Sequence, residues 1–334
     1  MASVRIRCLN PLRELQARGY PVERFDPRRR DRYAAVIFSK RYDDVAYAEA
    51  RRLRARGAHV VLDLCDNHFH NPDNLAVLRA AAAQLRRMAD EADVLVASTE
   101  AMADALRAEV GPGRQVTVIG DAVETTVEGV SGPPWSRWWA RRRLRDLVSR
   151  LEWDAARTPL VWFGSHGGPS GDHGMGDLES VRPVIESLGG EHPVSLTVIS
   201  NSAEKYDRLI RPWSVPTHYL QWNADTFLAA LRLHRIAVLP IRESPFTRCK
   251  TNNRLVTALA AGVAVVATGI PSYRPFADCC ALDDWLGGLR RYILDAEKRR
   301  RDVTAGQRLV ERDWVVPVIA DQWQRLFDGL RQTA

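Results

Sequence analysis

Lysine is nearly absent from this chain. Of 48 basic residues among 334, four are lysines (Lys40, Lys205, Lys250, Lys298) and the remaining 44 are arginines, with a net charge of +7. A bias of that size reads as a habit of the coding sequence, so a single arginine says little and a lysine says more. The positive balance points to an anionic partner: a phosphorylated small molecule, a nucleic acid or an anionic membrane. Nucleic acid is set aside, because helix-turn-helix, zinc-finger and RNA-binding aromatic motifs are all missing. The five cysteines (Cys8, Cys65, Cys249, Cys279, Cys280) lack CxxC spacing and read as reduced thiols of a cytoplasmic protein. No apolar run is long and pure enough to span a bilayer; the best, Val256 to Ile270, is broken by Thr257, Gly262, Thr268 and Gly269. The opening MASVRIRCLN has no apolar core before a small-residue cleavage site, so it does not read as a signal peptide. No internal repeat argues for a solenoid. What remains is a globular chain, 46% apolar and 27% charged, long enough for two domains.

Short β-branched runs alternate with longer amphipathic stretches. Strands are expected at Val4–Arg7, Val22–Phe25, Ala34–Phe38, His59–Leu64, Val94–Ala97 and Val116–Ile119, then at Leu160–Phe163, Leu196–Ile199, Ile236–Leu239 and Val263–Ala267. Helical patterns lie between them. Nearly continuous apolar strands alternating with helices indicate parallel sheets covered on both faces, here two doubly wound domains. EGVSGPP interrupts the pattern and is followed by the basic segment WSRWWARRRLRDLVSRLEW, which Ser136 could cap as a helix. Its stripe of Trp135, Trp138, Trp139, Leu144, Leu147, Val148 and Leu151 has two readings. One is a linker helix packed on a domain; the other is an interfacial patch on an anionic membrane. The final pattern, Ala305–Arg331, is helical with a break at Pro317, and is expected to cross back onto the first domain.

In open parallel sheets, ligands bind beyond the carboxyl ends of the strands. The loop after Leu160–Phe163 runs from Gly164 to Gly176 and holds six glycines in thirteen residues. Glycine lets backbone approach a ligand closely, and amides at the start of the next helix favour anions. Gly164, Ser165, His166 and Gly167 are the candidate ligand contacts, while His173 reads as solvent-exposed. A long surface loop is the plainer reading. After Ile236–Leu239, Arg248, Lys250 and Arg254 fall within seven residues at the start of a helix. Cations crowded at the positive end of a helix dipole repel it and one another, and a diphosphate between them would remove that penalty.

FTRCKTNNRLVTALAAGVAVVAT resembles the donor-site segment of GT-B glycosyltransferases, specifically the family 4-like, group 1 branch, with Phe246, Arg248, Lys250, Arg254, Gly262 and Val265 at the matching places. LVWFGSHGG, VVLDLCDNHF, DVLVASTEAMADAL and DWVVPVIADQWQRLF are similar to other segments of that family in the same order. The resemblance implies two Rossmann-like domains facing a cleft, with the nucleotide-sugar donor on the C-terminal one and the C-terminal helix crossing back. It implies a metal-independent, retaining glycosyl transfer that needs no cofactor beyond the donor nucleotide diphosphate sugar. The leaving diphosphate would be stabilised by Arg248 and Lys250, with Arg254 in support.

Base and ribose contacts are sought at Ser200 and Asn201 and at Trp222 and Asn223; Trp222 has the shape to stack on a base and equally the character of a core residue. One departure stands out. Members often carry two glutamates eight positions apart, and Cys249 and Thr257 occupy those places; Glu243 is the nearest substitute.

In the N-terminal half, Asp66 and His68 are candidates for an acceptor contact or base, with Asn67 and Asn10 beside them. Asp63, Asp66, His68 and His70 also have the residue types of a metal site.

The expected organisation is an acceptor-side domain over 1–127, a linker over 128–158, a donor domain over 159–310 and a returning helix over 311–334. The acceptor, a small molecule, a glycan or a lipid-linked glycan, is not identified. The expected place is the cytoplasm, with contact at the inner membrane face as the further option. The alternative functions are a nucleotide-sugar epimerase on the same fold and a non-catalytic nucleotide-sugar-binding protein.

Overall fold

The computed structural model describes residues 4–111, 113–125, 132–167 and 174–332. The chain divides into two compact units. One comprises Met1–Val123, Glu243–Asn252 and Arg312–Ala334, the other Glu124–Arg242 and Asn253–Glu311. The expected boundary at 127/128 lies outside the described residues. Residues 243–252, read from sequence as part of the donor domain, group with the first unit.

The first unit opens with helix rather than strand. A π-turn, Arg5–Leu9, runs straight into α1 (Asn10–Ala17). The alternation in Val4–Arg7 suggests a strand, but the Asn10 N–H closes a helical bond on the Arg5 carbonyl, and Arg5, Ile6 and Arg7 are buried within that turn. No strand forms over residues 22–25 either. Four strands follow: β1 (Ala35–Ser39), β2 (His59–Leu64), β3 (Val94–Ala97) and β4 (Val116–Val118). They are parallel and ordered β1-β2-β3-β4. Between them run α2 (Asp44–Arg54), capped by Asp43, α3 (Ala76–Glu91) and α4 (Glu100–Val110), capped by Thr99.

Consecutive parallel strands with right-handed crossovers put those three helices on one face. There Leu53, Leu85, Met88 and Leu106 bury against Val60, Leu62, Leu64 and Leu95. The other face, Val61, Val94, Val96 and Ile119, is covered by Leu15 of α1 and by Ile319, Ala320 and Trp323 near the C-terminus.

One buried cluster fixes α1's lead-in to the sheet. The Arg7 guanidinium donates to Asp63 of β2 (Nε to carboxylate, 3.0 Å), to Asp121 (2.8 Å) and to the Ile119 carbonyl (3.1 Å). Ser39 Oγ donates to the same Asp63 at 2.7 Å. Burial opposes the arginine's charge, but Asp63 and Asp121 outweigh it and hold the group fully protonated.

The second unit begins with α5 (Pro134–Trp153), followed by β5 (Thr158–Phe163), α6 (Arg182–Glu191), β6 (Val194–Ser200), α7 (Ala203–Leu209), β7 (Thr217–Gln221), α8 (Phe227–Leu231) and β8 (Ile236–Leu239). It continues with α9 (Asn253–Ala260), β9 (Ala264–Ala267), β10 (Ala281–Leu282), α10 (Trp285–Leu294) and most of α11 (Ala296–Asp313). Its six-stranded parallel sheet has the order β10-β9-β8-β5-β6-β7. The strand order therefore reverses between β5 and β8, the topological switch point of a Rossmann sheet. Trp162, Leu196, Val198 and Val266 form the centre of its core.

The basic segment is helical as expected, but its tryptophans are not its packing face. Ala140 and Leu147 are buried, while Trp135, Trp138 and Trp139 point outward. The C-terminal pattern divides into α11 and α12 (Val316–Gln332). The break falls at Trp314–Val315, and Pro317 sits in the first turn of α12, where its missing N–H costs nothing. The helix α12 belongs to the first unit and packs on α1. Among the described residues, no helix is long and apolar enough to cross a membrane.

Candidate functional site

At the switch point of the second unit, β5 ends in Gly164. A Cβ built there would stand 3.3 Å from the Trp162 ring and 3.5 Å from the Arg254 guanidinium. Glycine thus eases the approach to Trp162, and the Arg254 guanidinium, which enters from the first turn of α9, lies at van der Waals distance from the same point. Tyr273 is buried, and burial pushes its hydroxyl pKa up while the nearby Arg254 charge works against that rise. The guanidinium therefore lies beside the strand end, near a buried phenol.

The following turn is tied down at three points. Asn201 Oδ1 accepts the His166 N–H at 2.9 Å and lies 2.9 Å from His166 Nδ1. Buried Lys205 donates its ammonium to the His166 carbonyl at 2.8 Å. Ser200 Oγ donates to the Gly164 carbonyl at 2.8 Å. These contacts use the Gly164 and His166 carbonyls together with the His166 N–H and ring, and they fix the path of Gly164, Ser165, His166 and Gly167. Residues 168–173 of the glycine loop, His173 among them, lie outside the described residues. The loop rejoins at Gly174, with φ +75°, where a Cβ would fall 2.4 Å from the Ser165 carbonyl oxygen and 2.8 Å from the Gly167 nitrogen.

Gly174→Ala is expected to cost about 1–3 kcal/mol, because a left-handed φ and a backbone clash coincide. It should also displace the 164–167 turn. A melting temperature equal to that of the native chain would show the turn to be slack.

Trp222, partly exposed beyond β7, lies against Phe227 (ring centroids 6.2 Å), and Phe227 lies against Phe163 at the end of β5 (5.4 Å). Asn223 uses its side-chain oxygen for the Asp225 N–H at 2.9 Å, which makes it a turn former.

In the first unit, a second polar cluster sits beyond the ends of β1 and β2. Asp66 lies between two ammonium groups, those of Lys40 and Lys250. Burial works against its charge, yet Lys250 and Lys40 hold its carboxyl well below the usual range. Lys250 also stands 4.3 Å over the Phe246 ring. His68 Nδ1 is 2.7 Å from the Tyr42 hydroxyl, and its Nε2 is 4.0 Å from Asp66. Burial, reinforced by Lys40, lowers the His68 pKa, so the ring is neutral at pH 7. Asn67 accepts the Phe69 N–H at 3.2 Å and donates to the Pro245 carbonyl at 3.3 Å. Lys40 itself has φ +53°, an uncommon backbone for a residue with a long side chain.

Asp66, Asn67, His68 and Lys250 are therefore neighbours, although Lys250 reaches them from far along the chain. Arg248 and Glu243 carry exposed side chains on the same returning segment. Asn10 lies inside a continuous helical stretch rather than opening a helix. The four-ligand metal set does not form: Asp63 is turned into Arg7, and among the described residues no three His, Cys, Asp or Glu side chains are grouped to hold a metal.

Cys249 is buried in the apolar cluster under α3 and α4, with Sγ 3.5 Å from the Ala101 carbonyl, and burial pushes its thiol pKa up. Thr257 is buried in α9 and bonds Asn253 at 3.2 Å. A glutamate at either place would bury a carboxylate, with the desolvation cost that this carries. Lys40, Lys205 and Tyr273 were not foreseen; the rarity of lysine was the signal for the first two.

No family model matches the chain, and no curated protein does. Solved structures do. A sucrose-phosphate synthase from Thermosynechococcus elongatus is similar over 90% of this chain and 75% of its own, with a TM-score of 0.65 and 14% identity. The Anabaena protein Alr3699/HepE, in complex with UDP and glucose, is similar over 95% and 88%, with a TM-score of 0.64 and 14% identity. An E. coli structure described as trehalose-6-phosphate bound with UDP-2-fluoro glucose is similar over 97% and 77%, with a TM-score of 0.59 and 14% identity. At that identity the likeness carries architecture alone, and the architecture is that of the GT-B fold, with two Rossmann-like units and a C-terminal helix that returns to the first.

Proposed function

We propose that this chain is a glycosyltransferase that moves a sugar from a nucleotide diphosphate sugar to an acceptor hydroxyl, without a metal and with retention of configuration. One observation supports it above the rest: at the β5/β8 switch point, the glycine turn 164–167 and the Arg254 guanidinium stand side by side. A diphosphate there would meet the Arg254 guanidinium, a cation that stabilises the negative charge that builds as the glycosyl bond breaks. Trp222 and Asn201 are the proposed contacts for base and ribose.

Lys250 takes a different part from the one its sequence position suggests. With its charge answered by Asp66, it keeps that carboxylate ionised and placed. Asp66 is then a hydrogen-bond acceptor for the incoming hydroxyl rather than a base, since its pKa lies far below working pH. Neutral His68 is the proton acceptor of the pair. The acceptor itself is a small molecule, a glycan or a lipid-linked glycan.

The test is a thermal-shift screen of nucleoside diphosphates and their sugars, with uridine diphosphate sugars first because two of the similar structures hold UDP or a UDP-sugar. A ligand at a hundred times its Kd should stabilise the fold by about 2.7 kcal/mol. A flat screen across all bases would remove the donor reading. Binding without transfer to any acceptor would favour the second reading, a nucleotide-sugar-binding protein, to which Cys249 and Thr257 in place of two glutamates already lend weight.

A further inference from the structure

We propose that α5 is a docking surface for an anionic lipid bilayer, a property independent of the reaction above. Trp135, Trp138, Trp139 and Arg142 follow one another at i, i+3, i+4 and i+7, so they share one face of the helix. Trp153, at the far end, falls on that same face. The tryptophans are 68%, 51%, 49% and 94% exposed in chain order, whereas Ala140 and Leu147 on the opposite face are buried.

Large indoles held outward by a helix already anchored on its other side need a partner that accepts an apolar body and a polar N–H. The headgroup boundary of a bilayer is such an environment. The cations complete the match. Arg141, Arg142, Arg143, Arg145 and Arg150 lie on α5 against only Asp146 and Glu152, while Arg137 faces Asp225 at 3.5 Å. The Arg142 guanidinium stands 5.7 Å and 5.6 Å from the Trp138 and Trp139 rings, which meet edge to face at 4.7 Å, so apolar and cationic groups form one continuous patch.

A helix of 20 residues laid flat presents about 30 Å of this surface. It is too charged to insert across the membrane. Its geometry is that of a helix lying in the interface plane, with arginines on phosphate headgroups and indoles at the acyl boundary.

The test uses the full chain with vesicles of phosphatidylcholine alone and of phosphatidylcholine mixed with phosphatidylglycerol. Co-sedimentation is expected only with the anionic vesicles, with a blue shift of tryptophan emission and weakening as salt is added. The triple variant Trp135→Ala, Trp138→Ala, Trp139→Ala should bind at least about tenfold more weakly, because interfacial binding scales with the apolar area inserted. Its unchanged melting temperature would show that the loss is not unfolding, as these side chains lie outside the core. Equal binding of both vesicle types, or undiminished binding by the triple variant, would overturn the proposal. So would self-association, or salt-dependent capture of single-stranded nucleic acid, in place of vesicle binding.

Discussion

Replacing Asp63 with alanine is expected to destabilise the first unit by about 3–5 kcal/mol, the usual result of leaving one half of a buried ion pair behind. Asp63 and the Arg7 side chain are wholly buried. Without Asp63, the guanidinium keeps only Asp121 and one carbonyl, and Ser39 loses its acceptor. A loss of that size is a large fraction of the 5–15 kcal/mol that holds most domains, so the urea midpoint should fall steeply. A combined Arg7→Met, Asp63→Leu, Asp121→Asn variant should recover much of the loss, since apolar groups can replace a buried charge set of similar volume. A single variant that unfolds within about 1 kcal/mol of the native chain would mean that water reaches Arg7 and that the pair holds little.

Arg254→Ala should lower kcat/KM by about a hundred- to a thousandfold with the donor selected by the nucleotide screen, the range for removing one preorganised stabiliser of developing charge. The reason for choosing Arg254 over Lys250 is electrostatic. Lys250 already has Asp66 as its counter-ion, so its removal takes away a positioning contact, whereas Arg254 neighbours the Tyr273 phenol at the strand end. Lys250→Ala should therefore lose less turnover than Arg254→Ala. Arg254→Lys should recover only part, because an ammonium lacks the planar fork that spans two phosphate oxygens. The melting temperature without ligand should stay near the native value. Turnover within threefold of native for Arg254→Ala would move the diphosphate away from the switch point.

Much of this architecture was legible because buried parallel strands are written as uninterrupted apolar runs. Val60–Leu64, Leu160–Phe163 and Ala264–Ala267 need no tertiary information to be found. Where the reading failed, a tertiary partner had decided the matter. Val4–Arg7 alternates like a strand, yet Arg7 is buried because two carboxylates far along the chain receive it. The edge strand Thr217–Gln221 escaped notice because only Leu220 is buried, so no apolar run marks it. The indoles of α5 fit a packing stripe and an interfacial patch equally, because sequence records apolarity and not direction. At the site, the glycines after β5 and the cation at Arg254 announced themselves locally. The pairing of Lys250 with Asp66 joins residues 184 positions apart and leaves no local trace. The four lysines were the better guide: each has a carboxylate or carbonyl partner.

The chain passes between its two units at four points, after Val123, Arg242, Asn252 and Glu311. No single cut separates them into foldable pieces. A fragment stopping at Val123 would lack Ile319 and Trp323, and the face of its sheet bearing Val61 and Val96 would be left wet and adhesive. A fragment spanning residues 124–311 would carry an orphaned loop, with Cys249 exposed where Thr99 and Ala101 at the start of α4 now meet it. Dissecting this protein therefore calls for a permuted or bridged gene, in which α12 is joined directly behind β4 and a short turn replaces residues 243–252.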